Sequence, residues 1–260
     1  MVYTFIFNNP KRSPLFRTRQ SKFLLHPFDS RYRQPKSLRY REWLFPEKNK
    51  SSTIPDISYN ENLRLPYWVA YELTRQETQG NAKRTDRFIT DPSVKGIIAT
   101  NADYARSGYD KGHMAPAADM KWSNTAMKES FYFSNMCPQH PELNRRKWKD
   151  LEEKIRDWAI TDSAIIIICG PIIEKTPQKI GKNKVTVPQK FFKVILSPFT
   201  TSPKTIGFLF KNGRSVSPLA TYAVSVDSIE TLTGMDFFAP LPDDLENKIE
   251  SQVNCDQWGL

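Results

Sequence analysis

The 260-residue sequence predicts a mixed α+β domain built on a largely antiparallel central sheet flanked by helices. Three observations carry that prediction. A series of β-branched and aromatic runs, separated by Pro, Gly and Lys turns, fills the C-terminal half. One long segment places apolar residues at helical spacing just before them. No internal repeat or low-complexity tract interrupts the chain, and its length suits one compact domain rather than two.

Taken in order, residues 1–60 are rich in Pro, Arg and Ser, show no sustained periodicity, and read as an extended basic arm, leaving 61–260 as the domain. The first strand-like run is "LPYWVAYELT" (65–74). A loop-rich stretch, "KRTDRFITDPSVKGIIATNADYARSGYDKGH", is studded with Asp, Asn and Gly and suits a functional surface better than a core. "SNTAMKESFYFSNMCPQ" (123–139) passes from a helical pattern into strand-like "FYFSN". Asn144 heads "NRRKWKDLEEKIRDWAI", where Trp148, Leu151, Ile155 and Trp158 recur at three- and four-residue intervals, so this is the clearest amphipathic helix. The runs 163–173, 190–198, 205–212 and 220–229 read as strands, and "DSIETLTG" as a short helix capped by Asp227 or Ser228 and ending at Gly234.

Net charge is +10, which favours an anionic partner. Residues 1–50 hold twelve Lys/Arg against three acidic residues, so nearly all of that excess lies in the arm. The arm is Arg-rich and acid-poor like an organellar transit peptide, whereas "YTFIF" is too short for a secretory apolar core. No run approaches eighteen apolar residues, which excludes a membrane-spanning helix. Cys137, Cys169 and Cys255 have no metal-ligand spacing and are odd in number, against a disulfide framework or a four-cysteine zinc site.

The window 84–156 collects a histidine, Asn and Asp in loops, a helix-borne glutamate and several cations. Together they supply a general base, an oxygen-rich site for a hard divalent metal, and cations for phosphate. At about 1.5 Å per residue, Asn144 and Glu152 stand roughly 12 Å apart along the helix axis, too far to grip one small ion directly. Mg²⁺ bound by one protein oxygen and several waters, with Glu152 holding one of the waters, fits that span. Arg156 lies four residues beyond Glu152 on the same face. Asn144 also suits an N-cap, and one side chain cannot easily do both.

The segments "SGYDKGHMAPAADMKWS", "FYFSNMCPQ" and "ELNRRKWKDLEEKIR" resemble the DNA/RNA non-specific endonuclease family of ββα-metal (His-Me finger) nucleases. The family's Asp-Arg-Gly-His motif is matched by Asp110–His113, its Ser-Asn-x-x-Pro-Gln motif by Ser134–Gln139, and its helix by Leu143, Asn144, Trp148, Leu151 and Glu152. The resemblance implies a Mg²⁺-dependent endonuclease, with Mn²⁺ as a substitute, that cuts DNA and RNA to 5′-phosphate products. It implies His113 as general base, Asn144 as the direct metal ligand, Glu152 as holder of a metal-bound water, and Asn135 as a hydrogen-bond donor near His113. Arg84, or alternatively Arg87, would contact phosphate, as would Arg156 and Lys111. Lys111 stands where the family has Arg, which keeps the charge and loses the bidentate fork. A homodimer is also implied. For the compartment, secretion or the periplasm is slightly favoured over an organelle.

Two rival readings remain. One is a catalytically silent nucleic-acid-binding module of the same fold, which would have lost the base or the ligand; both are present. The other is a cysteine hydrolase using Cys137 with His140, for which no orienting residue is recognisable.

Overall fold

The computed structural model describes residues 55–260, so all but the last residues of the expected arm lie outside it. Six antiparallel strands form the main sheet: β1 (Asp56–Asn60), β2 (Leu65–Thr74), β5 (Ala164–Ile172), β8 (Lys190–Ser197), β9 (Lys204–Lys211) and β10 (Ala223–Val224), hydrogen-bonded in that order. Strand β1 falls within the segment read as arm and pairs with β2 from Asp56↔Ala70 to Asn60↔Leu65, so ordered sheet begins before residue 61. Two ribbons complete the strands: β3 (Asp110–His113) with β4 (Met136–Gln139), and β6 (Lys179–Ile180) with β7 (Val185–Thr186).

The sheet is buried on both faces, which is why β5 reads as an unbroken apolar run rather than an alternating one. Period-two alternation sorts its side chains. Odd-numbered Val69, Tyr71, Ile165, Ile167, Phe191 and Ile195, joined by Phe208 of β9, which pairs with Lys193, pack with Trp148, Leu151, Ile155 and Trp158. Even-numbered Trp68, Ala70, Ile166, Ile168, Phe192 and Val194 pack with Val226, Ile229, Phe237 and Phe238. The first face is covered by the helix α3 (Trp148–Asp162). The second is covered by α4 (Val226–Thr233) and α5 (Asp243–Glu250). Two shorter helices, α1 (Asn101–Tyr104) and α2 (Asn124–Glu129), border the loops of the first face.

Two expectations are corrected, and the alternative reading of Asn144 as an N-cap is set aside. The run 220–229 supplies only the two-residue β10; Val226 and Ile229 are spaced for a helix, and Ser225, not Asp227 or Ser228, caps it by accepting from the Ser228 N–H. "FYFSN" contributes a tight helical turn over Phe133–Asn135, and the strand follows it at Met136. Asn144 does not cap its helix. His140 does, its carbonyl accepting from Leu143 and Asn144 and its Nδ1 from the Glu142 N–H, with Pro141 at the first helical position, where its missing N–H costs nothing. The helix then runs through a π-type turn over Leu143–Lys147, in which the Trp148 N–H reaches back five residues to the Leu143 carbonyl.

Candidate active site

The β3–β4 ribbon and the start of α3 build the site. In β3, Gly112 is required because a side chain there would drive into Gln139, whose Oε1 would lie 2.2 Å from an added Cβ. Pairing of His113 with Met136 and of Asp110 with Gln139 fixes the register of the two motifs.

The backbone leaving His113 is held from four directions. Its carbonyl accepts from the Trp148 indole at 3.2 Å. The Met114 N–H donates to the Asn135 carbonyl, and the Met114 carbonyl accepts from Lys193 Nζ at 3.3 Å and Cys169 Sγ at 3.2 Å. The Asn135 side chain takes the next residue, accepting from the Ala115 N–H at 2.9 Å and donating to the Ala115 carbonyl at 2.8 Å; its second hydrogen goes to the Ser130 carbonyl at 2.9 Å. Asn135 therefore differs from expectation. Only 1% exposed and with both amide hydrogens committed, it positions the His113 turn instead of donating into the site.

The imidazole of His113 lies edge-on to Phe131, with ring centroids 5.0 Å apart, and tilted against Phe88 at 5.7 Å. Its Nε2 is shielded and has no hydrogen-bond partner among the described residues. Burial first, and then the charge of Arg84, push its pKa down to about 3, so the ring is neutral at physiological pH. Arg84 stacks over Phe131 at 5.0 Å and pairs with Asp86 at 2.5 Å, leaving about half of its side chain exposed. Arg87 is exposed. Lys111 sits over Phe88 with Nζ 4.3 Å from the ring centre and donates to Asn101 Oδ1 at 3.0 Å.

Asn144 is fixed by the first residue of β3. Its Nδ2 donates to Asp110 Oδ2 at 2.9 Å, while Arg145 grips the same carboxylate through Nε at 2.8 Å and Nη2 at 2.7 Å. Burial alone would raise the Asp110 pKa, but these hydrogen bonds hold it below the ordinary carboxylate value. A carboxylate only accepts, so it dictates which end of the amide it faces: the nitrogen is spent, and Oδ1 is the end left for a ligand.

One turn pair further on, α3 places Glu152 and Arg156 beside its buried stripe. Arg156 Nη1 meets Asp119 Oδ1 at 2.8 Å, and Asp119, wholly buried, also accepts from the Tyr71 hydroxyl at 2.8 Å. Burial pushes the Glu152 pKa up to about 8 against the pull of Lys193; Asp119 raises it further and Arg156 lowers it. Lys193 is fully buried in the odd-numbered row of β8, its Nζ 4.4 Å from the centre of a Trp148 ring. Burial also pushes the Cys137 thiol well up, so it is no nucleophile.

Sequence reasoning missed Lys193, Asp119 and Tyr71. Counting alternation along "KFFKVILS" would have placed Lys193 in a row with Phe191 and Ile195. For Asp119 and Tyr71 there was no local signal, because their pairing spans 48 residues. Asn144 and Glu152 themselves offer hard oxygen atoms, the ligand type that suits Mg²⁺ or Mn²⁺. Among the described residues, the one cluster of three acidic ligands lies elsewhere, at Asp227, Glu230 and Glu250. A metal held at Asn144 would take most of its ligands from water and substrate.

Residues 45–244 match the sequence model of the DNA/RNA non-specific endonuclease family. The chain is 34% identical over 203 residues to the mitochondrial nuclease EXOG of Mus musculus, covering 71% of this chain and 55% of that protein. It is 32% identical over 210 residues to a nuclease of Nostoc, covering 76% of each. With mitochondrial endonuclease G of Homo sapiens it shares 34% over 205 residues, 73% of this chain and 68% of that one. A chain solved in a study of the EndoG/EndoGI complex and the mechanism of EndoG inhibition superposes with a TM-score of 0.71 at 29% identity, over 81% of this chain and 95% of that one.

Proposed function

Since the chain belongs to the DNA/RNA non-specific endonuclease family, we propose that it is a metal-dependent endonuclease hydrolysing phosphodiester bonds of DNA and RNA to 5′-phosphate products. The observation that carries the reading is the Asn144 amide, whose nitrogen is committed to Asp110 and whose oxygen is thereby presented as a ligand. Asn144 would hold Mg²⁺, or Mn²⁺ in its place, directly, and Glu152 would hold it through water. When bound, the ion supplies charge neutralisation at the phosphoryl and leaving oxygens.

His113, neutral at working pH, takes a proton from the attacking water. A base kept at about 3 is weak, but part of that depression comes from Arg84. A phosphate arriving at Arg84 offsets the cation and returns basicity to the imidazole when substrate is in place. Arg84 fills the phosphate-contact role in preference to Arg87, because its charge reaches His113. Lys111 adds a second cation beside Phe88. Arg156, anchored on Asp119, orients Glu152 and adds positive potential behind it. Contacts of this kind go to backbone and carry no base information, which accounts for sugar and sequence tolerance.

The mitochondrial nucleases among the relatives favour an organelle and give no support to the slight preference for secretion. No described helix is long and apolar enough to cross a membrane. The homodimer stays part of the proposal.

Plasmid digestion in Mg²⁺ and in EDTA tests the activity, and His113→Ala tests the base. The alanine variant should bind DNA with cleavage down roughly 10²–10⁴-fold, partly restored by added imidazole. Full activity in that variant refutes the assignment, and binding without Mg²⁺-dependent cleavage by the parent favours the silent module.

A further inference from the structure

On the sheet face opposite the candidate active site, three carboxylates from two helices converge. Asp227 and Glu230 lie one turn apart on α4, and Glu250 is the last residue of α5. One carboxylate oxygen of each lies within 4.8 Å of the other two. Glu250 is only 3% exposed, and its Oε1 is shielded with no hydrogen-bond partner among the described residues. The charged groups that weigh most on it are Glu230, Glu246, Asp227 and Asp236, all of them acids. In a chain of net charge +10, this is a place where acids, not bases, are concentrated beneath the surface.

A buried, unpaired carboxylate facing other carboxylates is resolved by a proton or by a cation. A proton on Glu250 would be shared with Asp227 or Glu230 in a short hydrogen bond. Glu250 Oε1 makes no such bond among the described residues. The spacing suits a cation. Ca²⁺ takes oxygens at about 2.3–2.6 Å, so three oxygens on one ion stand up to roughly 4.5 Å apart, which a small closing movement of these side chains reaches, whereas Mg²⁺ at about 2.0–2.1 Å needs them within roughly 3.6 Å. The partial exposure of Glu230 and the greater exposure of Asp227 leave an open side for the waters that complete six to eight ligands.

We propose that Asp227, Glu230 and Glu250 form a Ca²⁺ site that ties the start of α4 to the end of α5. The site lies apart from Asn144 and takes no part in cleavage; its effect is on the stability of the layer that covers the even-numbered face of the sheet.

The test uses the full chain carrying Asn144→Ala, so that Ca²⁺ at the catalytic centre does not obscure the signal. CaCl₂ is titrated calorimetrically, and thermal unfolding is followed in EDTA and in Ca²⁺. One Ca²⁺ should bind per chain and raise the Tm. Adding Glu250→Gln should weaken binding by about tenfold or more and abolish the Tm rise, since the charge of the one buried ligand is lost. Asp227→Asn, a change at an exposed residue that leaves the fold intact, should weaken binding as well, and it decides the matter should the Glu250 variant fail to fold. No uptake up to about 5 mM, or an unchanged Tm rise in either variant, overturns the proposal.

Discussion

Asp110→Ala should damage metal use while sparing the base. In the parent, the Asp110 carboxylate receives Asn144 Nδ2 at 2.9 Å and so selects one of the two orientations of the amide. A hydrogen bond to a charged group contributes about 1.5–3 kcal/mol, which converts to roughly 10- to 150-fold in a binding constant. That agrees with the roughly 10- to 100-fold cost of removing a group that orients a metal ligand. The bidentate partner Arg145 is 69% exposed, so its release into water costs little. The assay is the cleavage rate at saturating DNA as Mg²⁺ is varied. Half-saturation should move to Mg²⁺ concentrations about 10- to 100-fold higher, with most of the plateau rate recovered. Arg145→Ala serves as the control and should move it less than about threefold. The reasoning fails if half-saturation is unchanged in Asp110→Ala while the variant keeps the Tm of the parent, or if Arg145→Ala causes an equal shift.

Three further outcomes are expected. Glu152 has a folded pKa of about 8 against an ordinary value of 4.5, so its favourable contribution is complete below 4.5 and is lost as pH rises through 8; Glu152→Gln in EDTA should therefore gain stability over that window, by roughly 2 kcal/mol after allowance for its partial exposure, and a urea-unfolding difference that does not grow with pH would contradict this. Asn135→Ala orphans three buried backbone groups and should cost about 3 kcal/mol or more, read as a fall in unfolding free energy; a loss below about 1 kcal/mol would show that the clamp is dispensable. Deleting residues 1–50, which hold nine of the ten net charges, should weaken DNA binding and flatten its dependence on log salt, and an unchanged slope would refute a binding role for the arm.

The sequence made the site legible where chemistry and local pattern coincide. The α3 stripe, the two motif strands and the glutamate eight residues beyond Asn144 all follow from spacing along one chain segment. What was hidden depends on distant contacts. Asn144 resembled a cap because Asn favours that position, but His140 and Pro141 start the helix four residues earlier, and this frees Asn144 for Asp110, which is 34 residues away. Asn135 resembled an active-site donor until its partners at Ala115 and Ser130 were seen. Lys193 carried no signal of its own in its strand, yet its row faces Trp148 and the Met114 carbonyl. The run 220–229 read as a strand from composition, and the Ser225 cap overrode it.

The clamp around Met114 and Ala115 draws on Asn135, Lys193, Cys169 and Trp148, that is, on the helical turn that leads into β4, two strands of the main sheet and the long helix. No local opening frees those amides, since each bond ends on an element that must itself come apart. Their hydrogens should exchange with solvent only as fast as the whole domain unfolds. Loss of activity on heating should then coincide with global melting instead of preceding it. The imidazole is thus set in place by the completed fold, and a folding intermediate lacking the β8 strand or α3 would carry His113 without being able to use it.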